Sequence, residues 1–263
     1  SIKDGHLTTN IKDLKGTVEF RNVSFKYPDA DEYILKDISF TANTGETVAF
    51  IGSTGSGKST LINLIPRFFD VTGGKILVDG VNIKDVKLKD LKRKIGYVPQ
   101  KGILFSGTIA SNLRLGNDDL NDEEMKKVCK IAQALDFINE KDDGFDSPIS
   151  QGGNNVSGGQ KQRLAIARAI AINPDIYIFD DSFSALDYKT DAKLRASLDK
   201  YTKDSTILIV AQRISTIMNA DQIIVLEQGK MVGIGTHKEL LNNCEVYKEI
   251  AYSQLSKEEL ENA

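Results

Sequence analysis

Residues 47–59 read Thr47-Val48-Ala49-Phe50-Ile51-Gly52-Ser53-Thr54-Gly55-Ser56-Gly57-Lys58-Ser59. The first five form a short, continuously apolar segment, the pattern of a strand buried on both faces. The next eight fit G-x-x-x-x-G-K-S without a mismatch, and a helix through Leu61–Ile65, limited by Pro66, is expected behind them. Each part has a physical reason. The glycines let the backbone turn tightly, so that successive N–H groups point inward at phosphate oxygens. The helix start adds its positive end. Lys58 brings a point charge to the terminal phosphates, and Ser59 offers a hydroxyl to Mg²⁺. Strand, glycine-rich loop and helix in this order predict a nucleoside triphosphate site, with Gly52–Ser59 and the adjoining Thr60 lining it.

A triphosphate site needs a second carboxylate to hold Mg²⁺ through water. Ile176-Tyr177-Ile178-Phe179-Asp180 delivers an acid at the end of an apolar strand, where ligands of open α/β sheets collect. Alone, such an Asp is equally a turn residue; paired with the loop, it reads as the Mg²⁺ partner.

Outward from these two segments the pattern alternates. Val18, Phe20, Val23 and Phe25 give a near-alternating strand, Pro28-Asp29 a turn, and Ile34–Thr41 a partner strand. Lys75–Asp79 and Ile95–Val98 are further strands. From about Leu113 to Gln151 the character changes. Asn121 to Glu124 resembles a capping box, with Met125, Val128, Ile131, Ala132 and Leu135 at helical spacing behind it. Strand–helix alternation then resumes: helix Gly158–Ile172, strand Ile176–Phe179, helix Tyr188–Lys200, strand Thr206–Val210, helix Ile214–Met218, strands Gln222–Leu226 and Lys230–Ile234, and a last amphipathic helix over His237–Tyr252. The expected class is α/β, with a largely parallel sheet, an N-terminal antiparallel β subdomain and a helical insert over about 101–160.

The bulk properties bound the function. At roughly 150 residues per domain, 263 residues allow one large domain or two modest ones. With 40% hydrophobic and 27% charged residues, the chain is globular rather than disordered. Lys and Arg number 34 against 37 Asp and Glu, so no basic excess holds nucleic acid. No apolar run approaches the ~18–20 residues needed to cross a bilayer. Cys129 and Cys244 read as reduced thiols of an intracellular protein. Ser1–Lys15 is polar and mixed in charge, a linker ahead of a domain over 16–263.

Asn155-Val156-Ser157-Gly158-Gly159-Gln160-Lys161-Gln162-Arg163 is the segment that narrows the class. Ser157 and Gln160 make an S-x-x-Q helix start. The two glycines beside it cost helix stability and imply close approach of something to the backbone. The segment resembles the signature motif of the ATP-binding-cassette proteins, with Val156 in place of the usual Leu. In that family, two chains pair head to tail and Ser157, Gly158, Gly159 and Gln160 would hold the ATP bound by the facing subunit. The resemblance extends from about Gly16 to Tyr252. It implies ATP with Mg²⁺ as cofactors, a P-loop NTPase core, and ATP hydrolysis coupled to transport. Tyr27 resembles the aromatic that stacks on adenine; a core or turn tyrosine is the other reading. Gln100 looks like the glutamine that senses Mg²⁺ and links to the membrane domain. Phe105 to Ile109 follows the pattern of exporters, and Ser184-Ala185-Leu186-Asp187 resembles the loop that contacts the facing subunit, with Asp187 at that interface.

Three further positions depart from the family. Asp181 stands where the general-base Glu is usual, one methylene shorter. Gln212, in Ile209-Val210-Ala211-Gln212-Arg213, stands where the switch His is usual; it donates a hydrogen bond but carries no charge. Gln151 replaces a usual Glu ahead of the signature. Loss of a positioned base costs ~10²–10⁴-fold in rate. Asp181 and Gln212 together, beside an intact loop, read as a degenerate site that holds ATP and hydrolyses it poorly. The resemblance therefore implies the degenerate-site subunit of a heterodimeric, multidrug-type exporter, its own transmembrane domain N-terminal to Ser1, its partner a different half-transporter, its place the cytoplasmic face of the cell membrane. A soluble ATPase of the same superfamily, in DNA repair or translation, is the alternative. A non-catalytic, nucleotide-gated interaction module is the third reading.

Overall fold

The apolar run before the loop is a strand, Thr47–Gly52, in which Val48, Ala49 and Phe50 are fully buried. This computed structural model describes residues 2–7, 15–256 and 259–260. The chain falls into two compact units, one from Ser1–Ile95 with Ser205–Ala263, the other Gly96–Asp204.

In the first unit, Thr47–Gly52 lies between two parallel neighbours. Thr206–Val210 pairs on one side, Ile207 opposite Thr47, and Gln222–Glu227 on the other, Leu226 opposite Gly52. Lys230–Gly235 closes that edge as an antiparallel strand. Strands covered on both faces need apolar residues at every position, which is why these segments carry runs rather than alternation. A separate antiparallel sheet follows the order Leu35–Ala42, Val18–Phe25, Gly73–Val78, Val81–Asn82. The irregular spacing of Val18, Phe20, Val23 and Phe25 has a cause in that sheet. The register shifts between Phe20 and Val23, where Asn22 takes φ 47° and leaves Arg21 and Asn22 both exposed. The amide of Asn22 donates to Asp37 Oδ1 at 2.8 Å and its backbone N–H to Ser39 Oγ at 2.8 Å, which fixes this bulge. Phe40 stacks on Phe20 at 4.6 Å and meets Phe50 edge-on at 5.3 Å, joining the two sheets of this unit through one aromatic column.

The second unit is built on Ile176–Asp180, buried at all five positions, beside Ile95–Val98. Its helices are Ile109–Leu113, Asp122–Ile131, Leu135–Asn139, Gly158–Ala171 and Tyr188–Tyr201. The insert is not purely helical: Gly107 pairs with Ile149 and Thr108 with Pro148 in a two-stranded tie beneath it. Asn121 and Glu124 form the reciprocal cap expected of them.

Several boundaries differ from the sequence reading. The helix behind the loop runs Lys58–Asn63, earlier than Leu61–Ile65. Leu64 and Ile65 continue it only as three-residue turns, Leu64 N–H to Leu61 and Ile65 N–H to Ile62, before Pro66. The helix expected over His237–Tyr252 is two, His237–Asn243 and Glu245–Gln254. They meet at Cys244, whose backbone is extended at φ −124°, ψ 107°. The Cys244 thiol packs against strand Lys230–Gly235, so close to Gly233 that a Cβ there would lie 2.8 Å from sulfur. Burial of that small side chain, not helical periodicity, sets the break. Leu88–Lys94 is a helix with a single buried apolar residue, Leu91, too little for a periodic signal. Both cysteines are buried free thiols. Of the expected linker 1–15, residues 1 and 8–14 lie outside the described residues. Leu7 bridges Val86, and the N–H groups of His6 and Leu7 donate to Asp85 O, both at 2.8 Å.

Candidate nucleotide-binding site

Gly52 ends the central strand, and its close approach to the next one leaves no room for a side chain: a Cβ would lie 2.1 Å from Leu226 O. The loop then turns back on itself, with Ser56 N–H donating to Ser53 O at 3.1 Å. Gly229, in the turn between Gln222–Glu227 and Lys230–Gly235, holds it from outside by donating to Ser56 O at 3.1 Å. Gly57 has φ 101°, a left-handed backbone that side chains resist. It occupies the N-cap of Lys58–Asn63 with no side-chain hydrogen bond. The helix start therefore keeps N–H groups unmasked by any capping side chain, which is what a bound anion requires. The Lys58 ammonium folds over the loop and donates to Gly52 O at 2.7 Å and Ser53 O at 2.9 Å. A cation held by carbonyls of the loop it follows is placed for phosphate oxygens to replace those acceptors. Ser53, Thr54, Gly55 and Ser59 are exposed, so the cradle opens to solvent.

Tyr27 is tied to this helix. Its hydroxyl lies 3.1 Å from the Thr60 hydroxyl, while Phe25 and Phe69 meet its ring edge-on at 4.9 and 5.2 Å. The structure thus brings Tyr27 and Thr60 together, a contact the spacing of 33 residues did not reveal. Gln212 belongs to the same unit and its side chain is exposed, just beyond strand Thr206–Val210.

The second unit carries the remaining candidates. Asp180 is buried at the end of its strand; burial and its charge push the Tyr97 phenol up to about 12. Asp181 adopts φ 48°, tolerated by Asp better than by most residues. Its carboxylate accepts a hydrogen bond from the Gln100 amide at 3.2 Å, so these two expected site residues are in direct contact. Gln162, not singled out from sequence, secures the Gln100 segment. Its amide donates to Pro99 O at 2.9 Å and accepts from Gly102 N–H at 2.6 Å. It is buried in Gly158–Ala171, where an amide must find partners.

Ser157 caps that helix. Its hydroxyl accepts from Gln160 N–H and Gln160 Oε1 accepts from Ser157 N–H, both at 3.1 Å. Nothing lies within 4 Å of where a Gly158 Cβ would stand, and Gly159 has only ordinary contact with Ala185 O at 3.6 Å. Asp187 is the N-cap of Tyr188–Tyr201, accepting from Thr190 N–H at 3.0 Å; bonds from Thr190 hold its carboxyl below the usual range. Gln151 is exposed in a short turn over Gln151–Gly153.

A family model described as ABC transporter matches residues 35–184, from the strand after Tyr27 through Asp180 and the signature segment. The chain belongs to the ABC transporter family. Its fold agrees, superposing on a bacterial Atm1-family ABC exporter solved with ATP bound, at a TM-score of 0.90 and 36% identity over 98% of this chain and 44% of that one. An uncharacterized ABC transporter ATP-binding protein of Mycobacterium tuberculosis is 50% identical over 244 residues, 92% of this chain and 42% of the relative. A putative multidrug export ATP-binding/permease protein of Staphylococcus aureus is 47% identical over 249 residues, 95% of this chain and 43% of the relative. The ABC chain described here thus spans about two-fifths of the length of the curated relatives it matches. Among the described residues no helix is long and apolar enough to cross a membrane.

Proposed function

We propose that this chain is the ATP-binding domain of an ABC exporter half-transporter, working at the cytoplasmic face of the cell membrane beneath a transmembrane domain. The observation that carries the reading is the uncapped helix start at Gly57 with Lys58 folded onto the loop ahead of it. That arrangement fits a triphosphate: donors, a positive helix end and the Lys58 cation converge on one concave backbone. Residues 52–60 hold the phosphates, and Tyr27 the adenine. Ser59, Gln100 and Asp180, the last through water, are the residues that would hold Mg²⁺, which when bound neutralises charge on the transferred phosphoryl group. The ATP-binding/permease relatives favour transport over the soluble DNA-repair or translation alternative. A net charge of −3 likewise offers nucleic acid no electrostatic footing.

Hydrolysis at this chain's own loop is weak. Asp181 is shorter than the Glu that orients water, and its carboxylate is engaged by Gln100. Gln212 supplies a neutral donor in place of a protonatable imidazole. The partner is a second, different half-transporter, whose ATP is held against Ser157–Gln160 and whose own carboxylate does the general-base work. Calorimetry and turnover of the purified chain with Mg·ATP test both parts. Binding with turnover far below the ~10 s⁻¹ usual for enzymes is expected. Turnover near that value contradicts the degenerate site, and absence of binding contradicts the assignment altogether.

A further inference from the structure

Strand Thr206–Val210 is followed by Ala211-Gln212-Arg213, and the next residue opens a helix of one turn, Ile214–Ile217. Such a helix starts with N–H groups that need acceptors, and the side chain at its own N-cap normally provides one. Here the N-cap is Arg213, in extended geometry, and its side chain makes no capping bond. The acceptor comes from 40 residues away: Ile214 N–H donates to Gln254 Oε1 at 2.8 Å. The other end of the same amide donates from Nε2 to Gln212 O at 2.7 Å. One planar side-chain amide therefore grips the backbone on both sides of Arg213 and fixes the direction in which the Gln212 side chain leaves the chain.

The support behind Gln254 is firm. It is the last residue of helix Glu245–Gln254, whose Tyr247 and Ala251 are buried and whose Tyr247 hydroxyl lies 2.6 Å from His237 Nδ1. Gln254 itself is exposed, so the core does not account for its two bonds. The same device occurs in the second unit, where the Gln162 amide bridges Pro99 O and Gly102 N–H around Gln100. Each of two polar side chains expected to face nucleotide or Mg²⁺ thus sits in a loop held by a glutamine from a distant helix.

We propose that Gln254 is a positioning residue for Gln212, holding its amide where it meets the terminal phosphate of bound ATP. This inference rests on the ATP-site reading above and adds a part to it. Because its proposed effect on nucleotide runs through the Gln212 side chain, it bears on the difference between ATP and ADP, not on nucleotide affinity in general.

The test compares ATP and ADP dissociation constants, measured by calorimetry with Mg²⁺, for the wild-type chain, Gln254→Leu, Gln212→Ala and the double variant. Gln254→Leu keeps the size of the side chain and removes both bonds at an exposed site, so its melting temperature reports whether it folds. Expected is an ATP affinity lowered about three- to tenfold, the scale of one or two neutral hydrogen bonds, with ADP affinity unchanged. In the Gln212→Ala background, Gln254→Leu adds nothing further. Gln254→Glu keeps the acceptor for Ile214 N–H but faces Gln212 O with a carboxylate, and lowers ATP affinity as Leu does. Equal losses for ATP and ADP, no loss, or an effect that persists without Gln212 overturn the proposal while leaving the ATP site intact. A wild-type chain that binds neither nucleotide overturns the site and this inference together.

Discussion

Two helices in this molecule begin at glycines, and they do so for opposite reasons. At the loop, the fold itself demands the glycines. Gly57 has a backbone of φ 101°, a Cβ there would press to 2.7 Å on Leu35 Cδ2, and Gly52 lies against Leu226. At the signature helix, the helix start is already complete, because Ser157 and Gln160 cap each other, and the space above Gly158 is open. The chain's own packing gives no reason for glycine there. A residue that lowers helix propensity and touches nothing inside its chain is best explained by what approaches from outside. On the proposed reading, the first helix start binds nucleotide and the second is presented to a partner.

The contrast can be broken in graded steps. Lys58→Ala should have the largest effect, an ATP affinity lowered at least ~30-fold, since truncating one partner of a buried charge pair costs roughly 2–5 kcal/mol. Fluorescent-nucleotide titration measures it, and near-wild-type affinity would remove the loop from the site. Gly57→Ala should lower stability by about 1–3 kcal/mol, because Ala resists a positive φ and the Leu35 contact is too close. Urea unfolding reads this directly; an unchanged midpoint would mean that the loop relaxes freely and glycine is not imposed by the fold. Ser157→Ala should cost about 1 kcal/mol, the usual worth of an N-cap. A much larger loss in the same unfolding assay would make the signature start a structural keystone instead of a presented surface.

Much of this was legible in the residues themselves. Gly52 to Ser59 combines loop, charge and helix start within eight positions, and the runs at Thr47–Gly52 and Ile176–Asp180 leave little freedom in how they are buried. Capping boxes at Asn121 and Ser157 are local by construction, so sequence reveals them. What escaped was set by contacts distant in sequence. Nothing near Cys244 announces a break; the neighbouring strand at Gly233 imposes it. Leu88–Lys94 has one buried residue and no stripe to detect. Gln254 and Gln162 look like surface or generic helix residues until the fold brings backbone donors and acceptors to their amides. Asp187, expected at an interface, is also the cap of its own helix, a role that S/T/D-x-x patterns predict locally.

The most direct measurement sets Gly158→Ala against Asp181→Ala in the proposed transporter, assembled from this chain with its membrane domain and the proposed partner, reading ATPase rate and melting temperature together. Gly158→Ala should leave the melting temperature of the domain unchanged and lower ATPase activity by roughly 10²-fold, because its methyl group fills the open space through which a facing nucleotide would reach the helix start, a loss on the scale of one transition-state donor. Asp181→Ala should cost little activity, because the proposed degenerate-site reading places it in a site that Gln212 also weakens. A transporter silenced by Asp181→Ala but indifferent to Gly158→Ala would contradict the assignment of the two helix starts.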